Sequence, residues 1–79
     1  MSNSKWIRSK VFPEVVYNKD IPNRLFVEQD GKILLKGGKI YEKSQKMITG
    51  TKILKQWSRL DNAKKSLEQM YRQESQRWS

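Results

Sequence analysis

The sequence predicts a small α+β fold, in which an antiparallel meander of three to four strands is followed by one C-terminal helix packed on one face. Two turn signals, Asp30-Gly31 and Gly37-Gly38, separate short apolar runs that are rich in Ile and Leu. Both dipeptides are typical of two-residue hairpin turns, because the central positions of such turns need a positive φ. After residue 58, apolar residues recur at helical spacing, which indicates an amphipathic helix.

The first 24 residues are expected to form an irregular N-terminal arm ahead of a domain that spans residues 25–79. Pro13 and Pro22 disfavour a long helix in this region. Residues 15–17 have the apolar, β-branched character of an edge strand. The arm is expected to be anchored on the domain by Trp6, Ile7, Val11 and Phe12.

Three or four strands are expected in the meander, from the segments 25–29, 32–36, 39–43 and 51–57. Gly37-Gly38 leaves two interpretations open, since the pair suits either a second hairpin turn or a bulge within one longer strand. The segment 44–50 is interpreted as a connection.

The helix is expected from residue 59 to about residue 74. Ser58 and Asp61 have the spacing of a capping box, with Asp in place of the more usual Glu. The residues that recur at helical spacing form one apolar stripe, namely Leu60, Ala63, Leu67, Met70 and Tyr71.

Alternation along the strands predicts two unlike faces. The face under the helix should hold Ile33, Leu35, Ile40, Ile53 and Trp57, joined by Leu25 or Phe26 and by Val27. The opposite face should be open to solvent and bind nucleic acid, with contacts from Lys32, Lys36, Lys39, Tyr41, Lys43, Lys52 and Gln56.

The distribution of charge supports a polyanion as the ligand. The chain carries 17 basic and 8 acidic residues, a net charge of +9. Residues 31–57 hold seven lysines and one acid, Glu42, so six of the nine excess charges lie in the middle third. A basic excess of this kind favours DNA, RNA or an acidic surface. A lysine-rich face is also ordinary on small proteins, where it protects sheet edges from aggregation.

The composition argues against enzymatic activity and against a zinc site. The chain has no Cys and no His, so it lacks a Cys nucleophile, the commonest general base and the commonest zinc ligands. An enzyme would have to work with carboxylates, Lys, Tyr or Ser alone. We expect no enzymatic activity, no cofactor, no metal and no small-molecule substrate. No apolar run is long enough to span a membrane, and the N-terminus lacks the apolar centre of a secretion signal, so the cytoplasm is the expected location.

The segment "KIYEKSQKMITGTKILKQWSRLDNAKKSLEQMY", residues 39–71, runs from strand through polar turn, strand and cap into a helix that carries Ala63 and Tyr71. This arrangement resembles the arm-type DNA-binding domains of phage tyrosine integrases and the plant ethylene-response DNA-binding domains. The resemblance implies that the outer sheet face enters the major groove, through Lys39, Tyr41, Lys43, Lys52 and Gln56. Residues 31–57 contain no Arg, the residue that makes the best bidentate hydrogen bonds to guanine. This departure from the family pattern favours contacts with phosphates over recognition of a base sequence.

Two functions are therefore predicted. The first is a small DNA-binding accessory or regulatory protein of the kind that phages encode, with RNA as the less favoured ligand. The alternative is a protein-interaction module, such as a host-protein inhibitor or a subunit of an assembly like the ribosome. It would bind a protein partner through Trp6, Val11, Phe12 and Trp78.

Overall fold

The computed structural model describes residues 5–78 of the backbone and the side chains of residues 5–73. Five strands and one helix follow in chain order, namely β1 (Trp6–Arg8), β2 (Val15–Asn18), β3 (Arg24–Gln29), β4 (Lys32–Tyr41), β5 (Lys46–Trp57) and α1 (Leu60–Trp78). The strands form one sheet in the order β1-β2-β3-β4-β5, and each neighbouring pair is antiparallel. The α+β meander with a C-terminal helix is confirmed, whereas the predicted number of three to four strands is wrong.

The additional strands come from the segment that was expected to be an irregular arm. β1 pairs with β2, and β2 pairs with β3, so residues 15–18 lie inside the sheet and not at its edge. The connection from β1 to β2 turns at Ser9, which is buried and donates its backbone N–H to the carbonyl oxygen of Val15 at 2.9 Å. The strand predicted at residues 15–17 is present as β2, whereas β1, with three residues, gives too short a pattern to stand out in the sequence.

The Asp30-Gly31 hairpin is confirmed. Asp30 and Gly31 have φ values of 52° and 72°, and Gln29 pairs directly with Lys32 on either side of them. These are the positive φ values that a type I′ turn requires at both central positions.

Gly37-Gly38 does not form a turn, and the bulge interpretation is the one that the structure shows. β4 continues through both glycines, while β5 carries the extra residues. Leu54 is inserted between two adjacent pairs, and residues 50–52 are inserted opposite Gly37. A Cβ on Gly38 would overlap the carbonyl oxygen of Ile48, so only glycine fits this close approach of the two backbones.

The segment 44–50, interpreted as a connection, is mostly strand. β5 begins at Lys46, five residues before the predicted start, and a four-residue loop joins it to β4. Gln45 closes this loop with a φ of 54°, and its N–H donates to the carbonyl oxygen of Glu42 at 3.2 Å.

The helix runs from Leu60 to Trp78, past the predicted end near residue 74. Its N-cap position is Arg59, whose carbonyl oxygen accepts the N–H of Ala63 at 3.1 Å. Asp61 lies in the first turn, where its negative charge interacts favourably with the helix dipole. Ala63 and Leu67 are buried against the sheet, as the predicted stripe requires.

An aromatic cluster forms the centre of the core between sheet and helix. Phe26 is fully buried, stacks on Trp6 with ring centroids 5.4 Å apart, and meets the Trp57 ring edge-on at 5.6 Å. Ile33 and Leu35 belong to the same core, as predicted. Ile53 was expected there too, but it is 47% exposed, because the insertion of Leu54 pairs Ile53 with Lys36 on the other face.

The face away from the helix is not an open lysine surface, contrary to the predicted division of the sheet. Val15, Leu25 and Leu34 are buried on it. Ile40, which was also expected under the helix, lines a cavity on this side together with Tyr17 and Leu25. Bulges increase the twist of a strand pair. The far end of β4 approaches β2 and β3, since Ile40 shares this cavity with residues of both strands, and a sheet that coils at the bulge accounts for this approach.

Candidate nucleic-acid interface

Beyond the bulge, β4 and β5 continue as a two-stranded ribbon, defined here as residues 38–49. Its pairs are Gly38 with Thr49, Lys39 with Ile48, Ile40 with Met47, and Tyr41 with Lys46. The four-residue loop at residues 42–45 closes it. Because paired residues share a face, the ribbon has two distinct sides.

One side of the ribbon is turned inward and the other outward. Ile40 and Met47 are half-buried on the inward side. The outward side carries Lys39, Tyr41, Lys46 and Ile48, all exposed, with Ile48 at 62%. The Lys39 Nζ lies 5.6 Å from the centre of the Tyr41 ring, within reach of a cation–π interaction.

The structure brings together only some of the predicted contact residues. Lys39 and Tyr41 share the outward side, and the exposed Lys43 lies in the loop next to them. Lys52 is exposed in the inserted part of β5. Uninterrupted alternation along β4 places Lys32 and Lys36 on the opposite face, and Gln56 pairs with Leu34 on that same face. The single predicted surface assumed a turn at Gly37-Gly38, which would have reset the alternation.

Lys46 and Ile48 belong to the outward side and were missed in the sequence, because residues 44–50 were interpreted as a connection. The segment "KMIT" contains two adjacent β-branched residues, Ile48 and Thr49, which could have indicated a strand. The outward position of Lys46 and Ile48 follows directly from the pairing with Tyr41 and Lys39.

The lysines of β4 and β5 lack acidic partners within the described residues. The ion pairs found there join Lys5 to Asp20 and Arg8 to Glu28, the second at 2.6 Å. Both lie at the β1–β3 end of the sheet. The positive charge of residues 31–57 is therefore not offset by ion pairs among these side chains.

Glu42, the one acid of this segment, is turned inward. Its Oε1 atom is buried and has no hydrogen-bond partner among the described residues. Burial raises the pKa of the nearby Tyr17 hydroxyl, and the negative charge of Glu42 raises it further. The carboxylate thus faces β2 and leaves the outward side of the ribbon without an acidic group.

The residues of the alternative, protein-binding site have mainly structural contacts where they are described. Trp6 stacks in the core, and its Nε1 donates to Glu68 Oε1 on α1 at 3.1 Å. Val11 and Phe12 are half-buried between β1 and β2. The side chain of Trp78 lies outside the described residues. Trp6 therefore ties β1 to the helix, while Val11 and Phe12 remain the accessible part of that predicted site.

Within the described residues, no helix has the length and apolar content needed to cross a bilayer, and no three acidic side chains gather into a group that could hold a metal ion. No protein-family model matches the chain, and comparisons with curated proteins and with solved structures gave no match.

Proposed function

We propose that this protein binds duplex DNA through the outward side of the ribbon. The contacts would be Lys39, Lys43 and Lys46, with Lys52 flanking them and Tyr41 between them. The observation that supports the proposal is electrostatic: the outward side carries lysines and no acid, and within the described residues none of these lysines forms an ion pair.

The shape of the ribbon suits a groove of DNA. Two paired strands lie about 4.8 Å apart, and the major groove of B-DNA, about 12 Å wide, admits a two-stranded ribbon. Lysine contacts phosphates as a flexible point charge, whereas guanine recognition is served best by Arg. Since the ribbon contains no Arg, its contacts would position the protein on the phosphate backbone with little reading of sequence.

The salt dependence of binding tests this function. Each neutralised phosphate contributes about 0.9 to the slope of log affinity against log salt, so four lysines predict a slope of about −3.6 and a loss of roughly 100-fold between 50 and 200 mM salt. Replacing Lys39, Lys43 and Lys46 together by Gln should reduce the slope to about −1. Fluorescence anisotropy with a labelled duplex measures both values.

A control variant separates the ribbon from net charge alone. Lys10→Gln, Lys19→Gln and Lys65→Gln together remove the same charge from exposed positions elsewhere. The proposal expects this variant to keep most of the affinity and most of the slope. Equal losses in the two variants would show a non-specific charge effect, and salt-insensitive binding would contradict phosphate contact. Tighter binding to single-stranded DNA or to duplex RNA would contradict duplex DNA as the ligand.

A further inference from the structure

A groove separates residues 67–71 of α1 from β4, β5 and the loop before β3. Its volume is about 480 Å³. Its floor consists of Ile21, Leu35 and Leu67, all buried members of the core. No ribbon residue lines it. The groove is therefore distinct from the proposed DNA-binding surface, and the two can be tested separately.

The walls of the groove expose apolar side chains to solvent. Leu54 is 43% exposed on the sheet side, and Tyr71 is 37% exposed on the helix side, beside the half-buried Met70. Leu54 is the residue inserted into β5, between the pair of Leu35 with Lys55 and the following pair. Bulges often change the direction of a side chain next to a binding site. Here the inserted residue, Leu54, forms one wall of the groove.

Among the residues whose side chains are described, two charged groups line the groove, and both are cations, Arg24 and Lys55. The Arg24 Nη1 donates to the carbonyl oxygen of Asn23 at 2.9 Å, which holds the guanidinium beside the groove. Within the described residues neither cation forms an ion pair, and no Asp or Glu lines the groove. An apolar floor beside two cations complements a ligand that is apolar at one end and anionic at the other.

We propose that this groove binds a small amphipathic organic carboxylate, of about the size of a bicyclic aromatic acid. The apolar body rests on the floor between Leu54 and Tyr71, and the carboxylate meets Arg24 and Lys55 at the rim. The volume lies within the range of about 300–1,000 Å³ that is usual for small-molecule sites, and such sites combine apolar walls with few orienting polar groups. This ligand goes beyond the sequence-based expectation, which included no small molecule.

Naphthylacetate and its neutral amide, naphthylacetamide, form a matched pair of probes. Titration of ¹⁵N-labelled protein should shift the amide signals of Leu54, Lys55, Leu67 and Tyr71 with the acid. The amide should bind about tenfold more weakly, because it lacks the charge-assisted hydrogen bonds to the cations. The double variant Arg24→Gln with Lys55→Gln should lose about tenfold in affinity for the acid. The control, Lys39→Gln with Lys43→Gln, should bind within twofold of the wild type.

Equal affinities for acid and amide would overturn the proposal, as would unchanged binding of the acid by the double variant. Shifts spread over the ribbon instead of the groove would show ordinary attraction of anions to a basic protein and would overturn it as well. If the same groove amides shift with protein concentration in the absence of probe, the apolar walls are a contact between copies of the chain, which also contradicts the proposal. The dispersion of the amide signals shows in the same spectra that each variant is folded.

Discussion

Replacing Gly38 by Ala tests the bulge on which the two sides of the ribbon depend. A Cβ at this position would overlap the carbonyl oxygen of Ile48 and lie 2.8 Å from the Cα of Thr49. Both obstacles are backbone atoms of the paired strand, so they can be relieved only by moving β5. The neighbouring Gly37 has room for a Cβ, whose nearest neighbour would be the Asn23 carbonyl oxygen at 3.8 Å, an ordinary van der Waals contact.

The two substitutions should therefore differ sharply in their effect on stability. Overpacking typically costs about 1–3 kcal/mol, and an Ala forced into an unsuitable backbone conformation adds to that, so Gly38→Ala should lose about 2–3 kcal/mol. A domain of this size has a total stability of about 4–12 kcal/mol. Gly37→Ala should stay within about 1 kcal/mol of the wild type, because it meets ordinary contacts and restricts the unfolded chain.

Urea unfolding followed by Trp fluorescence measures the difference, since Trp6 and Trp57 both pack on Phe26 in the core. With a slope of about 1 kcal/mol per molar urea, the midpoint for Gly38→Ala should fall by about 2–3 M. Equal midpoints for the two variants would refute the close approach at Gly38. A larger loss of stability in Gly37→Ala than in Gly38→Ala would favour a turn at this pair of glycines. Such a turn would restore the predicted single lysine face, which the structure contradicts.

Three further predictions concern the core and the Tyr17 hydroxyl. Phe26→Ala should destabilise the fold by about 3–5 kcal/mol in the same urea assay, because it empties a fully buried aromatic site. Trp6→Phe should cost about 1 kcal/mol by removing the hydrogen bond to Glu68 while keeping a ring on Phe26; Glu68→Gln, which keeps an acceptor, should cost less. Because the pKa of Tyr17 is raised in the folded state above its ordinary value of 10.0, the unfolded chain loses this proton first, and stability should fall as pH rises above about 10. Tyr17→Phe should show a smaller fall between pH 9 and pH 11, and identical profiles for the two proteins would contradict this linkage.

The sequence predicted those parts of the fold that depend on a short stretch of chain. Asp30-Gly31 was predicted as a hairpin because its own backbone preferences determine the turn. The helical stripe from Leu60 to Met70 was predicted for the same reason, since its spacing alone places Ala63 and Leu67 on the core. The helix end was missed, because the polar residues after Tyr71 carry no stop signal.

The parts that depend on distant segments were not predictable in the same way. Gly37-Gly38 suits a turn and a bulge equally well in isolation, and only the approach of Ile48 and Thr49 on β5 decides between them. β1 is stabilised by contacts of Trp6 with two residues that are distant in sequence: its ring stacks on Phe26, and its Nε1 donates a hydrogen bond to Glu68. The prediction of the candidate site depended on the structure at these glycines. Because β4 continues through them, Lys36 and Lys39 lie on opposite faces of the sheet and not on one surface.

The two edge strands of the sheet differ greatly in length: β1 has 3 residues and β5 has 12. A long edge strand presents unpaired backbone N–H and C=O groups, which form a template for pairing with another chain. In β5 the insertions at residues 50–52 and at Leu54 interrupt the regular repeat, and Lys46, Lys52 and Lys55 would bring like charges together in any stack of copies. The lysines proposed to contact DNA should thus also oppose pairing between copies of this chain, and this opposition should weaken as concentrated salt screens their repulsion.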